Sequence, residues 1–150
     1  FRLLQDGREY KKKDLKYAES FTLSEMTATA GDDKIISIGA LVGKQTKLKK
    51  EELTRTLPID VSYPRMLNWN LTFALPSGYT AKGLTNLTKN VSNSCGAFIS
   101  SAKIEGNNLV INAKKIYRSK NYSVEQWPQI IEMLQTAYDF SQTKIILQRQ

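Results

Sequence analysis

Strict alternation of apolar and polar side chains predicts a half-buried β-strand from Asn68 to Leu75. Successive side chains of a strand point to opposite faces of its sheet, so this segment would bury one face only. The apolar face carries Trp69, Leu71, Phe73 and Leu75. Pro76-Ser77-Gly78 follows and predicts a turn, because proline cannot donate to a β-ladder and glycine tolerates positive φ.

A β-hairpin is predicted further along the chain, with arms Ala97–Ile104 and Leu109–Arg118. The link Glu105-Gly106-Asn107-Asn108 has the length and the residue types of a hairpin turn. The apolar positions of the first arm begin at Phe98. On the second arm the alternating positions are Leu109, Ile111, Ala113 and Lys115.

Two strands are predicted nearer the N-terminus. Tyr17–Leu23 carries apolar residues at three of the four positions on one face. Lys34–Val42 is rich in β-branched residues and follows the turn signal Gly31-Asp32-Asp33.

The segments between these strands carry weaker patterns. Residues 44–56 are polar and predict a connecting loop or a short helix around Lys49–Thr54. Leu57–Val61 and Tyr63-Pro64 are expected to be extended, because proline disfavours helical geometry in the residue before it. Residues 84–96, rich in Asn, Ser and Thr, are expected to be irregular.

The apolar spacing changes to three and four residues between Ser123 and Phe140, which predicts an amphipathic helix. Its apolar positions are Trp127, Ile130, Ile131, Leu134, Ala137 and Tyr138. Ser123 and Gln126 fit a capping box, and Pro128 falls near the first turn, where its missing N–H does least harm. Lys144–Leu147 is expected to add a short edge strand to a sheet.

These elements amount to about seven strands, mostly joined locally, and one helix at about 123–140. We therefore predict a mainly β fold: an antiparallel β-sandwich, immunoglobulin-like or related, with the amphipathic helix across one face or end. Residues 1–150 are expected to form a single domain.

The length of 150 residues is enough to bury a core without disulfides. No apolar run approaches the roughly 20 residues that cross a bilayer. The sequence opens Phe1-Arg2-Leu3 without an initiator Met or a signal peptide, so we expect it to be a fragment of a larger multi-domain protein.

A net charge of +8 raises the question of a polyanion partner. The clearest basic clusters are Lys11-Lys12-Lys13 and the group Lys47, Lys49 and Lys50, which Glu51-Glu52 follows at once. Because the basic residues are otherwise scattered, general surface charge is favoured over a nucleic-acid site. A polyanion- or carbohydrate-binding module is kept as the alternative function.

One cysteine and no histidine limit the catalytic chemistry of this chain. Ser-His-Asp and Cys-His sites need an imidazole base, and the usual zinc sites need several Cys or His ligands. Ser77 lacks the Gly-x-Ser-x-Gly pattern of a nucleophile elbow, so a structural turn is favoured. A reactive thiol needs a nearby cation or helix N-terminus, and no local imidazole is available to Cys95, so a structural cysteine beside a turn glycine is favoured. We predict no catalytic, cofactor-binding or metal-binding residue and no cofactor.

Three other sets of residues are also given no functional role. Asp32-Asp33 and Glu51-Glu52 point apart on regular structure, so solvated turns are favoured over acid–base or calcium sites. Aromatic residues that could stack on sugars or bases are favoured as core instead: Trp69, Tyr79, Tyr117, Tyr122 and Trp127. Asn-x-Ser/Thr sequons, given little weight here, begin at Asn70, Asn86, Asn90 and Asn121.

An ordered series of motifs from Leu57 to Leu147 resembles the uncharacterised C-terminal β-domain of bacterial transglutaminase-like proteins. The motifs are Leu57-Pro58-Ile59, Phe73-Ala74-Leu75-Pro76-Ser77-Gly78-Tyr79, Gly96-Ala97-Phe98-Ile99-Ser100, Lys114-Lys115-Ile116-Tyr117, Trp127-Pro128 and Tyr138–Leu147. Residues 57–150 are the family-like part, whereas residues 1–56 fit only as lead-in strands.

The resemblance implies an exported bacterial protein, periplasmic or surface-associated, with a papain-like core before this domain. The Cys-His-Asp of such proteins lies in that core, so no catalytic residue is carried over and Cys95 does not inherit the role. The expected function is a non-catalytic accessory domain, with the neighbouring core as its partner and an unidentified protein or glycan as a further ligand.

Overall fold

A computed structural model describes residues 1–7, 13–22 and 26–150 of the chain. They form a mainly β fold in which the paired strands are antiparallel and one long helix lies near the C-terminus. The predicted fold class is confirmed in these terms.

The described strands and helices follow one another in this order. The strands are β1 (Arg2–Gln5), β2 (Lys16–Ala18), β3 (Thr27–Ala30), β4 (Asp33–Ser37), β5 (Ile59–Asp60), β6 (Arg65–Ala74), β7 (Tyr79–Lys82), β8 (Lys89–Ser92), β9 (Gly96–Glu105), β10 (Asn108–Tyr117), β11 (Asn121–Tyr122) and β12 (Lys144–Arg149). The α-helices are α1 (Gly39–Val42) and α2 (Trp127–Gln142), and 3-10 helices span Lys50–Leu53, Leu84–Leu87 and Val124–Gln126.

One four-stranded sheet, the hairpin sheet, has the strand order β6-β10-β9-β8. The predicted hairpin is confirmed as β9 and β10, with Gly106 at a φ of +56° in its turn. The predicted strand Asn68–Leu75 is confirmed as β6, which begins three residues earlier at Arg65. The expectation that 84–96 is irregular was wrong, because β8 pairs there with β9.

The second four-stranded sheet, the closing sheet, has the order β3-β4-β12-β7. The short segment at Lys144–Leu147 was expected to form an edge strand, and this was wrong. Strand β12 pairs with β4 on one side and β7 on the other, and its side chains Ile145 and Leu147 are buried. Two shorter ladders join β1 to β2 and β5 to β11.

The predicted strand Lys34–Val42 is correct only in its first half. The chain leaves the sheet after Ser37 and turns into α1, where the carbonyl of Ile38 accepts hydrogen bonds from the N–H of Leu41 at 3.0 Å and of Val42 at 3.2 Å. Gly39 lies so close to helix α2 that a β-carbon would fall 2.7 Å from the carbonyl oxygen of Ser141. A glycine is therefore needed where the two helices meet.

The predicted strand Tyr17–Leu23 was largely wrong. Its first two residues belong to β2, but residues 19–22 are not in a strand. Tyr17 and Phe21 are exposed, so the apolar face that the pattern predicted is not buried. Leu23 lies outside the described residues.

Helix α2 begins as its sequence predicts. The main-chain N–H of Ser123 donates to Oε1 of Gln126 at 2.9 Å, which confirms the capping box, and a 3-10 turn leads into the α-helix at Trp127. The helix packs on β8 and β9, where the rings of Phe98 and Phe140 lie 5.2 Å apart between centroids. Both rings are buried, so the helix and the hairpin sheet share a core.

One continuous core connects both four-stranded sheets with α2. Its fully buried side chains include Ile38, Leu87, Phe98, Leu109, Ile111, Tyr122, Met133, Phe140 and Ile145. Gly96 permits close packing within this core, because a β-carbon there would fall 2.7 Å from Sδ of Met133 on the helix.

Candidate functional site

Ser77 lies in a structural turn. The N–H of Tyr79 donates to the carbonyl of Pro76 at 3.1 Å, and Gly78 has a φ of +76°. The carbonyl of Gly78 also accepts from the N–H of Gln150 at 2.8 Å, which ties the turn to the end of the closing sheet. The predicted turn is confirmed.

The acidic pair Asp32-Asp33 also takes part in structural contacts. The phenol of Tyr79 donates to the carbonyl of Asp32 at 3.0 Å, and a carboxylate oxygen of Asp33 accepts from the N–H of Arg149 at 3.2 Å. The guanidinium of Arg149 lies 3.9 Å from the carboxylate of Asp32. Within the described ranges, no three His, Cys, Asp or Glu side chains are grouped as a metal site.

Cys95 is fully buried at the tight turn before β9. Its thiol donates to Oε1 of Gln129 at 3.2 Å, and the hydroxyl of Ser94 donates to the same oxygen at 2.7 Å. Oδ1 of Asn93 accepts from the N–H of Cys95 at 3.0 Å and of Gly96 at 3.1 Å. The thiol therefore contacts a neutral amide oxygen, which is no base for a nucleophile.

The aromatic residues lie where the core-packing hypothesis placed them. Tyr117, Tyr122 and Trp127 are buried, and Trp69 and Tyr79 pack against the core at partial exposure. The sequon residues are exposed at all four positions, Asn70, Asn86, Asn90 and Asn121.

The basic clusters are only partly described. Lys11 and Lys12 lie outside the described residues, and Lys13 is exposed. In the second cluster, Lys47 lies with its nitrogen 5.8 Å from the ring centroid of Tyr138.

A groove of about 500 Å³ lies between residues 46–57 and the start of α2, and we call it the indole groove. Nε1 of Trp127 donates to the carbonyl of Glu52 at 2.9 Å, which fastens the 3-10 helix of this segment to α2. The guanidinium of Arg55 lies 5.1 Å from the Trp127 ring centroid, and Leu57 is 70% exposed beside it. The groove also has Leu48, Glu51, Thr54 and Leu134 in its walls.

The outward surface of the hairpin sheet carries a second, shallower depression of about 340 Å³, which we call the amide face. The strand register places Asn112 between Asn70 and Ser101, and it places Lys114 between Asn68 and Ile99. Amide, hydroxyl and ammonium groups thus stand side by side on three strands. They offer hydrogen bonds to a polar ligand, whereas the described residues that line this face include no aromatic ring for stacking.

Lys115 is only 4% exposed on the inward face of β10. Its nitrogen donates to Oε1 of Gln45 at 3.1 Å, and Nε2 of Gln45 donates to the carbonyls of Val42 and Gly43, each at 3.3 Å. Burial, with the nearby charge of Arg65, lowers the pKa of Lys115 from 10.5 to about 8. Among charged side chains of the described residues, it is the one classed as buried.

The burial of Lys115 could be predicted from the sequence, but its contact with Gln45 could not. Alternation along β10 put Lys115 in line with Leu109, Ile111 and Ala113, on the face that is buried. Gln45 belongs to a polar segment that predicted only a connection. A lysine at an apolar position of a strand was the clue to a buried amine.

Comparison with known families gave one match. A family model described as a domain of unknown function with a solved structure (DUF3858) matches residues 33–147, more than half of the chain. No curated protein and no solved structure matches the chain. No helix among the described residues is long and apolar enough to cross a membrane.

Proposed function

The chain belongs to the DUF3858 family, whose function is unknown, and we propose that it is a non-catalytic accessory domain of an exported bacterial transglutaminase-like protein. In this role it packs against a catalytic core, holds that core in orientation, or binds a partner for it. The proposal includes a periplasmic or extracellular location. The ordered motifs from Leu57 to Leu147 support the kinship with such proteins.

The observation that carries the proposal is the indole groove. Leu57 in its wall and Leu53 in the same segment leave apolar side chains exposed, while Arg55 and Glu51 supply charges of both signs. Interfaces between domains of one protein combine apolar contact with polar groups in this way. The groove also belongs to the segment that leads into the family-like part.

The environment of the candidate nucleophiles supports a non-catalytic role. Ser77 is held in a turn, and the thiol of Cys95 contacts the amide of Gln129. Nucleophilic catalysis requires an activating base or a lowered thiol pKa, and neither candidate has an imidazole within this sequence.

An activity assay tests the non-catalytic part of the proposal. The purified chain is incubated with transglutaminase and peptidase substrates, next to a Cys95→Ala variant. We expect no turnover from either protein. Turnover that persists through repurification and disappears in Cys95→Ala contradicts the proposal.

Gene context and a binding measurement test the accessory part. A core with Cys, His and Asp encoded upstream of Phe1 supports the proposal, whereas a start codon and signal peptide immediately before Phe1 oppose it. With such a core in hand, calorimetry should detect binding that Leu57→Asp weakens by about tenfold or more. Asn112→Asp, on the amide face, is the matched control and should bind as the wild type does.

The amide face favours carbohydrate or polyanion binding as a second candidate function. Asn70, Asn112 and Ser101 present donors and acceptors to sugar hydroxyls, and Lys114 adds a positive charge. Binding to neutral oligosaccharides should be insensitive to salt, whereas log affinity for heparin should fall linearly with log salt. Asn112→Asp should weaken either interaction. Flat titrations with both ligand classes contradict this candidate.

A further inference from the structure

Strand β6 is an edge of the hairpin sheet, and no strand of the described residues pairs with its outer side. It spans the ten residues Arg65–Ala74, whereas the other edge strands of the two four-stranded sheets, β3, β7 and β8, span four residues each. Two of those short edges carry a lysine, Lys82 and Lys89. Short length and lysine both protect an edge against further pairing.

The hydrogen-bonding pattern of β6 shows which of its main-chain groups lie on the open edge of the sheet. The N–H of Leu75 donates to the carbonyl of Asn107 at 2.9 Å, and the β6–β10 register continues without a bulge from Ala74 to Arg65. In an edge strand, the main-chain N–H and C=O groups of every second residue bond to the one neighbouring strand. In β6 these are the main-chain groups of the odd-numbered residues, which bond to β10. The N–H and C=O groups that face the open side belong to Met66, Asn68, Asn70, Thr72 and Ala74.

The side chains of β6 lack the features that block an open edge. Residues 66–74 contain no charged residue, no proline and no glycine. On the inward face Trp69, Leu71 and Phe73 are only partly buried, and Leu67 is 41% exposed. A strand added beside β6 would cover this apolar row and would meet polar groups on the opposite face.

We propose that β6 pairs antiparallel with β6 of a second copy of this chain, with the two-fold axis at Asn70. In this register Asn70 faces its own copy, Asn68 faces Thr72 and Met66 faces Ala74. On the inward face Trp69 lies opposite Leu71, and Leu67 lies opposite Phe73. The pairing is isologous, so one strand supplies both halves of the interface.

The charge distribution supports a second copy as the occupant. Residues 66–74 are neutral, so no like charges face each other across the paired strands. The net charge of +8 per chain makes two copies repel each other at longer distances, and salt screens this repulsion. Dimerisation should therefore strengthen when salt is raised from low to physiological concentration. This inference concerns self-association and does not depend on the proposed accessory role.

Disulfide trapping tests the register. In a Cys95→Ala background, Asn70→Cys should form a disulfide-linked dimer under mild oxidation, because the two Cys residues meet at the axis. Asn68→Cys is the matched control on the same exposed face. Its two copies lie four residues apart in register, about 13 Å, which exceeds the roughly 7 Å limit for a disulfide. Equal cross-linking of both variants, or none with Asn70→Cys, overturns the proposal.

Edge-blocking variants test the association itself by sedimentation at increasing protein concentration. Asn70→Pro removes an outward N–H, and Asn70→Lys places two like charges at the axis. Both should weaken dimerisation by about tenfold or more while the melting temperature of the monomer is retained. If Asn70→Pro does not fold, Asn70→Lys alone tests whether blocking the edge weakens dimerisation. A wild type that stays monomeric at all concentrations and salts, or an Asn70→Lys variant that still dimerises, overturns the proposal.

Discussion

The side-chain nitrogen of Lys115 donates a 3.1 Å hydrogen bond to Oε1 of Gln45, seventy residues earlier in the chain. Burial disfavours the charged form of an amine whose hydrogen-bond partner is neutral. The pKa of Lys115 is therefore lowered to about 8. The bond also fastens the start of the 44–56 connection to β10, an inner strand of the hairpin sheet.

The stability of the protein should rise between pH 7.5 and 9.5 because of Lys115. Its pKa is lower in the folded state than the ordinary 10.5, so the unfolded chain binds more protons in this range. The buried ammonium group of Lys115 destabilises the fold by its full amount well below pH 8. This cost disappears as the pH approaches 10.5. Relative to Lys115→Met, the wild type should gain about 2 kcal/mol between these pH values, measured by urea unfolding.

A neighbour of Lys115, Tyr117, sets the highest pH at which that effect can be measured. Burial raises the pKa of Tyr117 in the folded protein, so the unfolded chain loses this proton first and stability falls as the pH passes about 10. Parallel pH profiles for the wild type and Lys115→Met would contradict the role given to Lys115.

Replacing both partners of this hydrogen bond should stabilise the protein at pH 7.5. Lys115→Met alone leaves Oε1 of Gln45 without its donor, which costs about 1–3 kcal/mol and offsets the benefit of removing a buried amine. The double variant Lys115→Met with Gln45→Met removes both polar groups and gives up two long bonds, each 3.3 Å, from Nε2 of Gln45 to the carbonyls of Val42 and Gly43. Because these bonds are weaker than the cost of the buried amine, the double variant should be more stable than either Lys115→Met or the wild type. A double variant less stable than Lys115→Met contradicts this expectation.

Tyr122→Phe should destabilise the fold by about 1–3 kcal/mol in chemical unfolding. The buried hydroxyl of Tyr122 donates to the carbonyl of Cys95 at 2.9 Å and accepts from the N–H of Ser119 at 3.0 Å. In the variant the N–H of Ser119 loses its partner, whereas the carbonyl of Cys95 loses one of two donors and keeps the N–H of Arg118 at 3.0 Å. Tyr63→Phe, at a residue that is 59% exposed, is the control and should change stability by less than about 0.5 kcal/mol.

Asn93→Ala should destabilise the protein by about 2 kcal/mol, because Asn93 satisfies several groups at the turn before β9. Its Oδ1 accepts from two N–H groups, and its Nδ2 donates to the carbonyl of Gln129 at 3.0 Å. Asn93→Asp keeps the acceptors but faces the carboxylate of Glu132, so an intermediate loss is expected in chemical unfolding. An Asp variant as unstable as the Ala variant would show that the acceptor contacts contribute little.

Trp127→Phe should loosen residues 50–54 while leaving the hairpin sheet intact. The variant loses the 2.9 Å hydrogen bond from the indole to the carbonyl of Glu52 and the stacking of Arg55. We expect a loss of about 1–2 kcal/mol and faster hydrogen exchange in this segment. Trp69→Phe is the control, and exchange at residues 50–54 should not change in it.

Local patterns in the sequence predicted the elements whose partners are close in the chain. The hairpin of β9 and β10 and the helix α2 were found because turn residues, alternation and capping are local signals. Strand β8 was missed because its four residues carry one apolar side chain, Val91, and pairing with β9 decides its conformation.

Long-range contacts account for most of the errors. The apolar run Lys34–Val42 is compatible with strand or helix, and the close approach of Gly39 to Ser141 selects a helix for its second half. The contact of Lys115 with Gln45 and the indole groove likewise join segments that are distant in sequence, so no local pattern could reveal them.

The position of β12 has a consequence for synthesis. The strand lies between β4 and β7, so the nascent chain cannot assemble the closing sheet until Lys144–Arg149 has left the ribosome. The edges of β4 and β7 that face β12 stay unpaired until then. A chain truncated before residue 144 would therefore have open edges on β4 and β7, and each could pair with a wrong partner.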